Sequence, residues 1–480
     1  MDSGSLTHST GFKGENGQIE NGRARTWQGA GHETSLGTKY IKYDSENDRD
    51  PSWLSHSLHL IVLTYSGKPV YSRYGDEDML SGLTGTLQSI TSRFADTKDV
   101  SNNLKSIKAG DLAMHFLCKG PLIFVAITRK YKTSFCRKLL ELFHRQFTVI
   151  LTDAVEQSLN ARPNFDPRSV LSGTKSIFGN LATWMKRDVN LSFSFPALEI
   201  LPLGQSARRA SSDAITRDLP STCLLGLVLG GHRLVVTTQG SSYKSVTFEA
   251  LDLLALINAI LSSTALRSGE NWTPFCLPSL DSRAFLHAYI LFPKPGISIV
   301  FLSADGDSET FMALSRHAQA AVNTLEISGA MKEISDSLHA GAAKFADDGP
   351  VLRRVKHCAV ALRRSAQFFS SRIISDSSAE TKSIFQRYAK AQELLEGKSL
   401  PRQVWLTGED FSTAVWATED FELLITVPRG VSNSVTLLAY QWVKAQELRL
   451  FVPLKIPLKE AAVSSPVRRT SALRRLLSIW

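Results

Sequence analysis

The chain has 480 residues, 43% of them hydrophobic and 21% charged, and carries a formal net charge of +10. That length exceeds one ordinary domain, so several separate cores are expected, and the composition excludes a disordered, collagen-like or disulfide-framework protein. Residues 1–55 hold six Lys/Arg against eight Asp/Glu, whereas residues 351–480 hold twenty against eleven, so the last quarter carries the basic surface and would attract nucleic acid or an anionic membrane face.

Residues 1–54 are rich in Gly, Ser, Asn and acidic side chains, lack apolar periodicity, and read as a mobile arm. Met1–Thr10 lacks the basic flank and apolar core of a secretory signal. The longest apolar runs, around Cys223–Leu229 and Leu251–Leu261, fall short of the ~20 residues that span a bilayer. A soluble intracellular protein is the expectation. The five cysteines, Cys118, Cys136, Cys223, Cys276 and Cys358, are widely spread in apolar stretches and read as reduced core residues.

Folded pattern begins abruptly. Leu58–Tyr65 is a strand-like run, Ser66-Gly-Lys68 makes a turn, and Pro69–Arg73 reads as a second strand, so the pair is a hairpin. Leu83, Leu87, Ile90 and Phe94 recur at spacings of three and four, which predicts an amphipathic helix. Strands follow at about 104–108, 112–118 and 122–128, then a long helix from Thr133 to about Leu159. The same order recurs twice. Strands at 222–229 and 233–238, a strongly apolar helix at 248–262, strands at 272–277, 284–291 and 297–301, and a helical stretch over 309–343 form the second pass. Strands at 356–362 and 366–372, a helix at 379–395, strands at 402–406, 413–416 and 422–427, and a helix striped by Val435, Leu438, Trp442 and Ala445 form the third. The spacing is that of tandem domains rather than a solenoid. We therefore expect an α+β chain of three similar units, each a five-stranded sheet packed with helices. The expected divisions are an arm at 1–54, units at 55–162, 216–345 and 346–452, a linker at 163–215, and a basic tail at 453–480. Open sheets have two edges, so pairing with another subunit through sheet or helix contacts is a natural consequence.

The motifs of bond-breaking chemistry are missing from the sequence. Leu229-Gly-Gly-His232 lacks the spacing and the Lys-Ser/Thr pair of a phosphate loop and reads as a strand turn. No Gly-x-Ser-x-Gly turn occurs. His56 and His59 have no second pair of ligands nearby, and Asp305-Gly-Asp307 reads as a turn into a helix rather than a metal loop. Cys118 and Cys136, with His115 and His144 near in sequence, sit on apolar stripes and read as core thiols. No catalytic residue, cofactor or metal is expected.

Two charged features remain. Tyr74-Gly-Asp-Glu-Asp78 places three carboxylates just before a helix: either they compensate the helix N-terminus, or they face a cationic or metal-bearing partner surface. The other is basic: Arg353, Arg354, Lys356, Arg363 and Arg364, with Arg468, Arg469, Arg474 and Arg475 in a tail whose Leu473, Leu476, Leu477, Ile479 and Trp480 permit an interfacial amphipathic helix. A solvated basic tail is the alternative. Nucleic-acid binding has only the net charge in its favour, without a recognition helix or an aromatic platform, and is not expected.

Three segments carry a resemblance. Ser66-Gly-Lys-Pro-Val-Tyr-Ser-Arg-Tyr-Gly-Asp-Glu-Asp78 resembles the signature of the SAND/Mon family of vacuolar fusion proteins. So do Ile107–Asp111, continuing through Lys119-Gly-Pro-Leu122 to Arg129, and Trp272-Thr-Pro-Phe-Cys-Leu-Pro278 with Phe285–Tyr289. The match is by motif over residues 57–300 and by pattern beyond 350. It implies three longin domains and pairing with a Ccz-type subunit of the same architecture. The pair would act as a guanine-nucleotide exchange factor for a Rab seven type GTPase, recruited by a Rab five type GTPase and by phosphoinositides to late-endosomal, vacuolar or prevacuolar membranes. Tyr74, Gly75, Asp76, Glu77 and Asp78 would then lie at or near the GTPase or partner surface, and the basic residues would touch the membrane. The alternative is a longin-type adaptor or scaffold without exchange activity.

Overall fold

The computed structural model describes residues 45–94, 103–162, 166, 168–171, 173–186, 189–341, 351–375, 377–395 and 399–452. Most of the expected arm and the whole basic tail, with Arg468, Arg469, Arg474 and Arg475, lie outside these residues. The end of the expected arm does not: α1 (Pro51–Ser55) is folded, with Trp53 buried.

The first unit continues with β1 (Leu58–Thr64), β2 (Pro69–Ser72), α2 (Ser81–Arg93), β3 (Ser106–Ala109), β4 (Leu112–Lys119), β5 (Leu122–Thr128), α3 (Thr133–Leu151) and α4 (Ala154–Ala161). Its sheet order is β2-β1-β5-β4-β3, with β1 antiparallel to β5 and Ile61 opposite Val125. Strands β1 and β5 read as unbroken apolar runs because both faces are covered. Leu60, Val62 and Phe124 pack toward Leu139 and Phe143 of α3, while Ile61, Leu63, Ile123 and Val125 pack toward Leu87 of α2. The single helix expected over 133–159 is divided at Thr152, whose φ of 57° turns the chain so that Asp153 N donates to Ser282 O of the second unit at 2.9 Å.

The stretch at 163–215 is not a bare connector. It holds α5 (Arg168–Leu171), α6 (Lys175–Met185), β6 (Leu198–Glu199) and α7 (Gln205–Thr216). Helix α6 presents Ile177, Phe178, Leu181, Ala182 and Met185 to the interior, a spacing of one helical face.

The second unit comprises β7 (Cys223–Gly230), β8 (Arg233–Gln239), α8 (Ala250–Ser262), β9 (Glu270–Phe275), β10 (Leu286–Lys294), β11 (Ile297–Ser303), α9 (Ser308–Ile327) and α10 (Ala330–Ala340). Its order, β8-β7-β11-β10-β9, repeats that of the first. Gly329, at φ 73°, breaks the expected helical stretch into α9 and α10. The third unit comprises β12 (His357–Leu362), β13 (Gln367–Ser370), α11 (Ser378–Leu395), β14 (Arg402–Thr407), β15 (Phe411–Ala417), β16 (Phe421–Pro428), α12 (Val435–Ala445) and α13 (Glu447–Leu450). Its sheet has six strands rather than the five expected, because β6 adds in parallel to β13, with Gln367 opposite Leu198. A two-residue strand leaves no alternation to read in sequence.

The units interlock. Helix α8 is buried on nearly every side and is wedged against α3 and α6, which explains its apolar composition. Two of its polar residues reach across the junction to α3. Asp252 pairs with Arg145 at 2.8 Å and accepts from Ser279 N at 2.8 Å, and Asn258 donates to Gln146 Oε1 at 2.8 Å and Ile177 O at 3.1 Å.

Candidate functional site

The loop from β2 to α2 is built by its own residues and by segments far away in sequence. Gly75 has φ 81°, and a Cβ there would stand 2.7 Å from Glu46 O, so the backbone requires glycine. Tyr74 is buried, its ring stacked on His56 at a centroid distance of 3.6 Å, and its carbonyl accepts from Trp53 Nε1 at 3.3 Å and Ser72 Oγ at 2.6 Å. His56 in turn bonds Glu46 at 2.8 Å, and Trp53 stacks on His59 at 3.8 Å. Burial, and then the charges of His56, Lys186, Arg129 and Arg73, push the His59 imidazole down to about 3.

The three carboxylates diverge instead of forming one acidic face. Glu77 is only 2% exposed: it accepts from Ser72 N at 3.2 Å and pairs with Lys175 of α6 at 2.7 Å. Asp76 accepts from Asp78 N at 2.9 Å, an Asx turn. Asp78 reaches solvent and pairs with Arg168, which also grips Asp166 at 2.8 Å. The loop therefore offers solvent Asp78 and, partly, Asp76, while Tyr74, Gly75 and Glu77 hold its shape. Lys175 and Arg168 were missed in sequence because they lie in the stretch taken for a linker, although the apolar stripe of α6 marks a packed helix there.

Helix α2 differs from its counterpart in the second unit. It occupies the same topological place as α8, yet only Thr84, Leu87 and Thr91 are buried. The outer face carries Gly82, Gly85, Thr86, Ser89 and Arg93, with Gln88 and Ile90 half-exposed, and forms a shallow trough. A Cβ at Gly82 or Gly85 would meet nothing within 4 Å. Among the described residues no contact requires those glycines, although a mid-helix Gly costs about 1 kcal/mol relative to Ala.

The five basic residues of the third unit do not form one patch. Arg353 and Arg354 are exposed before β12, whereas Arg363 and Arg364 follow it, at the other end of a six-residue strand about 20 Å long. Lys356 is held by Glu380. Arg363 is drawn inward by Ser194 Oγ at 2.8 Å, Thr418 O at 2.9 Å and buried Glu422 at 3.5 Å. Arg364 is exposed and pairs with Asp420 at 3.3 Å.

The remaining candidates are structural. Gly231, at φ 58°, turns β7 into β8, and Asp307 caps α9 by accepting from Thr310 N at 2.7 Å. Cys136 is buried and its thiol is pushed up to about 12 by that burial. Among the described residues no group of His, Cys, Asp and Glu could hold a metal ion, and no helix is long and apolar enough to cross a membrane.

Sheets of order 2-1-5-4-3 repeated three times, with helices between, define a tandem longin-type protein. A family model for the first longin domain of FUZ, MON1 and HPS1 matches residues 58–181, and one for the second longin domain of the same proteins matches residues 222–323. The chain is 29% identical over 417 residues to the vacuolar fusion protein MON1 homolog A of Bos taurus, covering 85% of this chain and 73% of that one. It is 28% identical over 452 residues to the MON1 homolog of Oryza sativa subsp. japonica, covering 86% and 77%, and 29% identical over 416 residues to that of Arabidopsis thaliana, covering 80% and 66%. These models and relatives support its placement among the longin-domain proteins of the Mon/SAND family.

Proposed function

We infer that this chain is a membrane-trafficking protein of vacuole fusion, the role that the names of its relatives state. Within that role we propose that it is one subunit of a guanine-nucleotide exchange factor for a Rab seven type GTPase, paired with a Ccz-type longin subunit on late-endosomal or vacuolar membranes. A Rab five type GTPase and anionic phosphoinositides would recruit the pair. The observation that carries the pairing is the outer face of α2. The equivalent helix α8 is covered by α3 and α6 of the same chain, while on α2 a Cβ at Gly82 or Gly85 would meet no atom of the described residues within 4 Å. A helix of a partner's longin domain is the occupant, because Gly82 and Gly85 let two backbones approach and the same topology already packs helix on helix at the α8 junction.

Exchange makes and breaks no covalent bond. A factor that binds the nucleotide-free GTPase more tightly than the loaded form weakens nucleotide affinity by the same factor, and surfaces suffice for that. The test is release of a fluorescent guanine nucleotide from a Rab seven type GTPase with this chain, with the partner, and with both. Acceleration by the pair alone is expected. Binding without acceleration would replace the proposal with a longin adaptor.

A further inference from the structure

Arg73 leaves β2 beneath the loop just described, and its charge is used by none of those contacts. Its backbone N donates to Leu60 O at 3.0 Å, and the residue is 9% exposed. Nη2 donates to Thr183 Oγ1 at 3.2 Å and the guanidinium stands 5.3 Å from the Tyr74 ring centroid, yet Nη1 is buried without a hydrogen-bond partner. Thr183 and Lys186 are three residues apart at the end of α6, hence on one helical face, which brings the Lys186 ammonium to the same guanidinium. Burial, and then the positive charges of Arg73, Lys130 and Lys382, lower Lys186 from 10.5 to about 7. Cations thus converge from the end of β2, the β5–α3 loop, the end of α6 and the start of α11. Arg129 has an exposed partner in Asp111 at 3.3 Å. Among the described residues no carboxylate pairs with Arg73 or Lys186.

A buried guanidinium with an unused donor, beside a partly desolvated ammonium, is costly unless an anion joins them. A single carboxylate meets one side of such a cluster. A tetrahedral phosphate presents oxygens in several directions at once, and its charge matches two cations.

We propose that Arg73 and Lys186, rimmed by Arg129, Lys130 and Lys382, form a binding site for a phosphate group at the junction of the first and third units. The phosphate comes either free in solution or from a lipid headgroup. The site is separate from the exposed Arg353, Arg354 and Arg364, and it does not depend on the exchange activity.

Calorimetric titration of the full chain with inorganic phosphate, against chloride at matched ionic strength, tests the site directly. Saturable binding is expected, with the melting midpoint raised by roughly 1–2 °C at ten times Kd. R73Q and K186Q should each weaken binding at least about tenfold, and K186R should retain it. If R73Q fails to fold, the half-buried Lys186 keeps the comparison available through K186Q. Vesicle flotation with and without a phosphoinositide separates the sources: Lys186-dependent flotation that free phosphate competes away marks a headgroup, and its absence beside phosphate binding marks a soluble ligand. Phosphate acting no differently from chloride, or equally on wild type and K186Q, overturns the site.

Discussion

Replacing Glu77 by Ala separates a structural carboxylate from a partner-binding one. The change leaves the buried Ser72 N–H without its acceptor, a loss of about 1–3 kcal/mol. The Lys175 ammonium is 34% exposed and can return to water, so the broken pair adds less than the 3–5 kcal/mol typical of a fully buried one. A total of about 2–3 kcal/mol corresponds to a ~30- to 160-fold rise in opening of β2. Amide hydrogen exchange at Ser72 and Arg73 reads that opening. Asp78→Asn should change protection little, because the Asp78 side chain is 76% exposed and an exposed pair contributes ~0–1 kcal/mol. Unchanged protection at β2 in Glu77→Ala would refute the structural role. Nucleotide release impaired in Asp76→Asn or Asp78→Asn, with protection intact, would instead return these two carboxylates to the GTPase surface.

Gly85→Ala should stabilise the isolated chain by about 1 kcal/mol in thermal unfolding, because its Cβ meets nothing, while Gly85→Leu should abolish partner co-purification without lowering the melting midpoint by more than a degree or two. Buried Arg208 donates to Val235 O at 2.6 Å, Leu201 O at 2.8 Å and Arg449 O at 2.8 Å, tying α7 to β8 and to α13, so Arg208→Met should cost ~2–4 kcal/mol and release the α13 amides to exchange. His357 is buried between Tyr388 Oη at 2.8 Å and Ser370 Oγ at 3.0 Å, and burial lowers it, like His59, from 6.5 to about 3. The unfolded chain takes up these protons first, so the stability they confer is complete above about pH 6.5 and falls as pH drops toward 3. Denaturant melts of His357→Gln between pH 6 and 4 should show a slope smaller by about 1.4 kcal/mol per pH unit; an unaltered slope would mean that His357 is protonated in the fold.

Hydrophobic period, read residue by residue, was enough to place the strands and most helices of all three units, because a switch between periods of two and 3.6 is a local property. It also exposed the strongly apolar α8 and the turns at Gly231 and Asp307. It could not show that α2 and α8, equivalent in order, differ in how far the described residues bury them. Nor could local pattern reveal the two-residue β6, or the breaks at Thr152 and Gly329 within long helical stretches. The acidic loop marks the boundary most clearly. Asp76, Glu77 and Asp78 are alike in sequence, but Lys175 and Arg168, about a hundred residues away, draw one carboxylate inside and leave another in water. Charge type is written in the chain, whereas burial and partnership depend on which distant segments pack together, and only the tertiary structure decides that.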